Sequence, residues 1–243
     1  MRRTIMVALA AAIVANPSHG SAQSDKAFVG WVGLMTTPVG ALPTQLPVSL
    51  PGTSGKTAVQ ARYGHWQFAS NDDNTNTFGL SGTFGGARVK TTLEVGYGTK
   101  TDCSDCNSIL GGVELGIPLI EPRIGSAVTT GSLLGVALHP AVGVMKPIGS
   151  DANGYALSAA AHLPIYVSLP VGQRVRLAPF VSPGYGVGYI NGDGESESGW
   201  RAMLGGGGAL SGLGSGLEIT VSAHRVFIAD GATMYGIALR LWR

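Results

Sequence analysis

The segment Thr77 to Gly98, TFGLSGTFGGARVKTTLEVGYG, carries the cleanest alternation in the chain. Phe78, Leu80 and Phe84 share one parity; Thr77, Gly79, Ser81 and Thr83 share the other. Beyond Gly85-Gly86 the pattern resumes, with Val89, Leu93, Val95 and Tyr97 on one face and Arg88, Lys90, Thr92, Glu94 and Gly96 on the opposite face. A period of two on both sides of a glycine pair predicts a β-hairpin with a two-residue glycine turn. One continuous apolar face, set against a polar face of unlike charges, is what the lipid-facing wall of a barrel requires.

The rest of the chain repeats this rhythm. Strand patterns run over Thr57 to Ser70 (with a phase slip near Gly64 that suggests a bulge), the two arms of the hairpin, Ser108 to Gly116, Ser126 to Met145, Gly154 to Leu169, Arg174 to Ile190, Gly199 to Leu210, Leu217 to Phe227 and Thr233 to Trp242. The connectors fall into two alternating kinds. Asn71 to Asn76, Thr99 to Asn107, Gly149 to Asn153, Asn191 to Ser198 and Ala229 to Ala232 are polar, whereas Gly85-Gly86, Ile117 to Gly125, Pro170 to Gln173 and Ser211 to Gly216 are shorter or greasier. Polar loops at one rim and short turns at the other define an all-β, antiparallel up-and-down transmembrane barrel of about ten strands. Ser126 to Met145 is about twice the 9 to 11 residues of a tilted spanning strand. A fold-back at Leu138-His139-Pro140, joined by a strand from Ala27 to Met35, gives a twelve-strand alternative.

Aromatics collect next to the polar loops: Trp66, Phe68, Phe78, Tyr97, Tyr155, Tyr189, Trp200, Phe227 and Tyr235. They predict an aromatic girdle at that rim, with Phe84, Tyr166 and Trp242 at the other.

Ahead of the strands, Met1-Arg2-Arg3, the apolar run Thr4 to Ala15 and Gly20-Ser21-Ala22 fit an export signal over residues 1–22. Residues 23–56 hold Pro38, Pro43, Pro47 and Pro51, which argue against a central strand and mark an N-terminal extension or plug. The expected organisation is therefore 1–22 signal peptide, 23–56 extension and 57–243 barrel. Charged residues are 12% and apolar residues 44% of the chain, yet no stretch outside the leader approaches the roughly 18 apolar residues of a membrane helix. Thirty-eight glycines lie inside the patterned segments as well as between them. A net charge of +2 without a basic cluster gives no footing for nucleic acid. Cys103 and Cys106, in TDCSDCN, predict a small loop disulfide in an exported protein; a metal site would need further ligands that the neighbourhood lacks.

Over Thr57 to Arg243 the chain resembles the general class of Gram-negative outer-membrane β-barrel proteins. The signal peptide, the hairpin rhythm and the last strand carry the resemblance. Members of that class usually close on an alternating strand ending in an aromatic; here Tyr235, Ile237, Leu239 and Leu241 alternate, Trp242 is out of phase and Arg243 is last. The resemblance implies an outer-membrane location, with outer-membrane lipid, lipopolysaccharide and the barrel assembly machinery as partners.

The inward parity gathers Arg62, Arg88, Lys90, Glu94, Glu114, Arg174, Arg176, Arg201, Glu218 and Arg240 as lumen-lining residues. In a barrel of about ten strands the interior is close to filled, so these charges form an ion-pair network or else line a narrow, anion-favouring channel. A His followed two residues on by Ser, the pairing expected of an outer-membrane lipid-modifying enzyme, is absent after His65, His139, His162 and His224. Ser222 and Glu218 share a face with His224, but inward polar residues of a wall explain them and no catalytic residue is assigned. Asn191 to Ser198, NGDGESES, lacks the ligand spacing of a calcium loop. Gly205 to Gly208 lies inside a strand and marks a kink or a close approach, which the N-terminal extension would supply. No cofactor or metal is called for. The expected function is a non-enzymatic barrel, structural or adhesive, or a narrow passive pore; a secreted soluble all-β binding protein is the alternative.

Overall fold

In a computed structural model, residues 57–68, 74–86, 88–100, 107–120, 133–148, 154–171, 175–192, 195–214, 216–226 and 232–243 are described. The leader (1–22), the extension (23–56), Arg174 and the Cys103/Cys106 pair lie outside them.

Eleven strands follow in order: β1 (Ala58–Phe68), β2 (Thr75–Gly85), β3 (Lys90–Lys100), β4 (Asn107–Ile120), β5 (Leu133–Ile148), β6 (Tyr155–His162), β7 (Ile165–Pro170), β8 (Arg176–Gly192), β9 (Glu195–Ser211), β10 (Leu217–Val226) and β11 (Ala232–Trp242). All neighbours are antiparallel. The sheet runs β4-β3-β2-β1-β11-β10-β9-β8-β6-β5-β7 and closes through further β4–β5 and β8–β7 pairings. β6 and β7 are two pieces of one stave, since both lie between β5 and β8. The wall is thus a closed antiparallel barrel of ten staves. At 11 residues, β1, β2, β3 and β11 have the length of a spanning strand tilted by roughly 45°.

Alternation fixes which side faces out. Val59 is 65% exposed, Val95 64% and Leu80 60%, and Ile109, Val142, Leu157, Val181, Leu204, Val221 and Leu239 continue the outward apolar band on other staves. Phe78, Tyr97, Tyr155 and Tyr235 are outward and exposed near the polar connectors. Tyr63 packs on Phe78 with ring centroids 5.1 Å apart, and Tyr155 faces Tyr189 at 6.2 Å. Here the apolar band gives way to polar partners: the Tyr63 hydroxyl donates to Asn76 Oδ1 at 2.7 Å, and His65 Nδ1 lies 2.9 Å from the same oxygen. Three aromatics assigned to the rims instead point inward. Trp66 is fully buried, and Tyr166 and Trp242 are buried too, because each sits on the inward parity of its strand. The side chains of Phe68 and Trp200, and all of Phe227, lie outside the described residues.

Several boundaries differ from expectation. Gly85 pairs with Lys90, so the hairpin turn is the four-residue 86–89 rather than a glycine pair, with Gly85 at φ 127°. β1 passes Gly64 without a bulge, in register with Thr77 and Gly236. The irregularity lies instead between Pro118 and Ile120 in the β4–β5 ladder. β5 runs straight through Leu138-His139-Pro140, which removes the twelve-strand alternative: Pro140 stays paired with Ala161, and only the β4 side skips residues 115 and 116, where proline offers no N–H. Asn191 to Ser198 is mostly strand, since Gly192 pairs with Glu195.

Closure depends on the β1–β11 seam. Thr57 N donates to the Arg243 carbonyl at 3.0 Å and Arg243 N to the Thr57 carbonyl at 2.8 Å, and the ladder runs from Ala58↔Trp242 to Phe68↔Ala232. Inside the seam, Arg240 Nε donates to Gln60 Oε1 at 2.7 Å and Nη1 to Glu218 Oε1 at 3.1 Å, while Trp242 Nε1 donates to Glu218 Oε2 at 3.1 Å. Lys90 Nζ sits 4.0 Å from the Trp242 ring centroid. Side chains of β1, β3, β10 and β11 are thereby joined in one knot.

Two expectations follow. Leu93→Arg places a cation on the lipid face and should destabilise the barrel in vesicles by about 2–4 kcal/mol, whereas Gln67→Arg at the rim should cost about 0–1 kcal/mol. Urea titration of both variants checks the assignment of faces, and equal tolerance would overturn it. Glu218→Ala removes the carboxylate that receives Arg240 Nη1 and the Trp242 N–H, in a site where Glu218 is 1% exposed, and should cost about 3–5 kcal/mol in the same assay. A loss below about 1 kcal/mol would mean that the knot does not hold the seam.

Candidate functional site in the barrel lumen

The inward residues of the staves meet across the lumen as a contiguous polar belt. Arg62 on β1 donates through Nε to the Glu94 carboxylate on β3 across Gly79 of β2, where any Cβ would collide with both side chains. Glu94 lies within electrostatic range of Glu114 on β4. Glu114 Oε1 is 2.6 Å from Nδ1 of His139 on β5, and His139 is the cross-strand partner of His162 on β6. The His162 and His224 rings meet edge to face, with centroids 6.4 Å apart and planes at 87°. Below the belt, toward the turns, the Gln60, Lys90, Glu218, Arg240 and Trp242 knot and a cluster of Tyr166, Ala178, Phe180 and Ala209 occupy the lumen. Trp66, Leu110, Met203 and Met234 are buried toward the loop end of their strands.

Of the residues expected to line the lumen, Arg62, Lys90, Glu114, Glu218 and Arg240 are buried, and the Glu94 side chain is 8% exposed. Arg88 is a correction: the longer turn places it at the rim, exposed. Arg176 sits at the turn end of β8, with Nε donating to Ser168 Oγ at 2.8 Å and Nη2 to the Ser168 carbonyl at 2.9 Å. Arg174 and the side chain of Arg201 lie outside the described residues. The acids and bases that meet do so as neighbours across staves, so among the described residues the lumen charges do not form a run of free cations.

Charge alone missed several residues of the lumen. His139, His162, Gln60 and Trp66 all stand on the inward parity of their strands, and that parity was the available signal. At two positions of the glycine run neighbouring staves make a close approach; the approach expected of the N-terminal extension lies outside the described residues. A Cβ at Gly205 would overlap the His224 imidazole, and one at Gly207 would collide with the Val221 carbonyl oxygen. Gly184 does the same for His162, whose Nδ1 would lie 2.5 Å from an added Cβ. Ser222 and His224 are not bonded to each other, as Ser222 Oγ and His224 Nε2 are both buried without a partner. Glu218 is engaged by Arg240 and Trp242.

What this arrangement can do follows from its packing. Polar groups are held in opposite-charge pairs with their nearest neighbours, and the ring of side chains leaves Trp66, Lys90, Gln60, His139 and Glu218 almost without contact to solvent. The chemistry open to such a lumen is mutual neutralisation and, where hydroxyls and imidazoles lack partners, exchange of protons or water.

No protein-family model matches the chain, and no curated protein matches it. Among solved structures, the chain is similar to the β-domain of the Bordetella autotransporter BrkA at 13% identity, over 77% of this chain and 99% of that one, with a TM-score of 0.41. It is also similar to the translocator domain of the autotransporter NalP from Neisseria meningitidis (12%, 89% and 97%, 0.37) and to Ail, the attachment invasion locus protein of Yersinia pestis (15%, 77% and 99%, 0.31). A wall that closes on itself satisfies every stave's backbone without water, and its outer surface is an apolar band edged by aromatics, the form in which β-structure crosses the outer membrane. The fold is that of an outer-membrane β-barrel.

Proposed function

We propose that this protein is a closed structural or adhesive barrel, non-enzymatic, which acts through its wall and its loop-side rim and passes no solute at rest. The observation that carries this reading is the filled lumen. In a water-filled pore the inward side chains would be wet, whereas Trp66 and Met234 are 0% exposed, Glu218 1% and Lys90 2%. Those four come from different staves and from both halves of the wall's height, which supports closure at more than one level of the lumen. Ten staves leave an interior close to side-chain volume, consistent with this filling.

The rim supports the adhesive side of the reading. β8 and β9 are each 17 residues long and stay paired up to Gly192↔Glu195, while the β10 ladder with β9 ends at Val226↔Met203. Residues 195–202 therefore extend past β10, where among the described residues they pair with β8 alone. A hairpin that outruns its neighbours is a surface for contact outside the membrane. In this reading outer-membrane lipid and lipopolysaccharide surround the apolar band, and the barrel assembly machinery inserts the chain.

Planar-bilayer recording of the purified full chain at neutral pH tests the proposal. The expected outcome is no resolvable conductance steps, with or without residues 23–56, from protein whose unboiled gel band runs faster than the boiled one. Regular steps from that folded material would overturn the closed-lumen reading in favour of a narrow pore.

A further inference from the structure

His162 and His224 are buried to 3% exposure in the middle of the wall, each lodged in space that a glycine leaves open on a neighbouring stave, Gly184 for His162 and Gly205 for His224. Both ring nitrogens of His162 and Nε2 of His224 have no hydrogen-bond partner. The charged or titratable groups that face them are few. β5 presents His139 and β4 Glu114, which are bonded to each other; β3 presents Glu94 and β1 Arg62, likewise bonded to each other. Opposite the imidazoles, β8 presents Ser182 and Gly184, β9 Met203 and Gly205, β10 Ser222, and β11 Met234 and Gly236. Among the described side chains no acid is left over for a second or third imidazolium.

We propose that this histidine pair is an acid-operated switch of the lumen: as neutral rings His162 and His224 pack in their glycine slots and keep the barrel shut, and as imidazolium ions they repel each other, leave the slots and admit water. The direction follows from the surroundings. A neutral imidazole tolerates an apolar slot, but two cations with centroids 6.4 Å apart, with Glu114 already engaged by His139, do not. Each ring that leaves its slot brings a charged group toward the lumen axis, where it can be hydrated.

Two further features suit this device. Ser81, Ser182 and Ser222 have buried hydroxyl oxygens without partners, as do Nη1 and Nη2 of Arg62. These line the same belt and would hydrate as soon as water entered, giving a wet path through the level that the imidazoles close. The stave that carries His162 is also interrupted just beyond it. Leu163-Pro164 separates β6 from β7, and the connection there is held by Leu163 N to the Pro183 carbonyl at 2.8 Å and Ala137 N to the Pro164 carbonyl at 3.1 Å. With Pro140 on β5, three adjacent staves each carry a proline near the histidines, and none of the three supplies an N–H to the ladder.

The inference rests on a lumen that is closed at neutral pH, and one recording separates the two ideas. Purified full chain is placed in a planar bilayer at about pH 7.5 and then at about pH 3, through and below the range where the charge of a free histidine changes. The expected result is silence at neutral pH and open events on acidification that reverse on return, rising by at least about tenfold, since each linked proton shifts an equilibrium up to about tenfold per pH unit. The His162→Phe/His224→Phe double variant should lose that rise, and a His162→Gln/His224→Gln pair serves if the aromatic pair fails to show the fast-running unboiled band. Silence at both pH values would overturn the switch and leave the closed-lumen reading standing. Steps already present at neutral pH would overturn the closed-lumen reading. An acid response that persists in the double variant, or steps that do not change with pH, would overturn the switch.

Discussion

Inside a bilayer there is no water to take up an unpaired amide, so the sheet must close before anything else about this protein can hold. The closing contact is the pairing of β1 with β11, which starts at Thr57 and Arg243 and continues over eleven residue pairs. The first and last staves are the farthest apart in sequence, and their ladder is the one that no short turn enforces. It is reinforced from inside, where Arg240 reaches Gln60 on one side and Glu218 on the other. A transverse clamp at the latest-formed ladder is where a barrel gains most from side-chain bonding.

Closure then sorts the side chains. Outward positions meet lipid and are apolar across the whole band, while inward positions accept every polar group the strands carry. With ten staves the interior is close to side-chain volume, and many of those groups find partners in one another. The chain meets this with short-range pairs between staves that are near neighbours: β1 with β3, β4 with β5, β10 with β11. Where pairs were not made, as for the belt serines and the histidine rings, the polar atoms remain inside a packed structure and bring a desolvation cost of about 1–3 kcal/mol each if they stay dry. Such groups are usually kept for a reason other than stability, because an apolar residue of the same size would be the more stable choice.

The alternation of TFGLSGTFGGARVKTTLEVGYG was enough to assign both faces of β2 and β3, because a period of two is a local property that survives closure. The same holds for the number of staves and for the alternation of polar loops with short turns. Less local facts were not readable. Trp66 and Trp242 looked like rim anchors from residue type and position, yet face is decided by parity, and both fall on the inward side. Arg88 left the wall because the turn is two residues longer than its glycine pair suggests. The partners of Glu94, Glu114 and Glu218 depend on the stagger between strands, which no single strand encodes. Pro140 appeared to interrupt β5, but a proline stops a ladder on one side only, and β6 keeps β5 in place on the other.

The prolines show that the wall is built in two unequal arcs. β1, β2, β3, β9, β10 and β11 contain none, and their ladders run unbroken from stave to stave. All the wall's prolines fall in β4 to β8, at Pro118, Pro140, Pro147, Pro170, Pro179 and Pro183, together with Pro164 between β6 and β7. The clamp of Arg240, Glu218, Gln60 and Trp242 belongs to the first arc, while His139 and His162 stand on staves of the second and His224 reaches across from β10. The ladder interruptions among the described residues, at Leu163-Pro164 and between β4 and β5, both fall in the proline-bearing arc, away from the seam. Since lipid forbids an open edge, the first of these is tolerated because β5 and β8 stay paired with the pieces on either side of it.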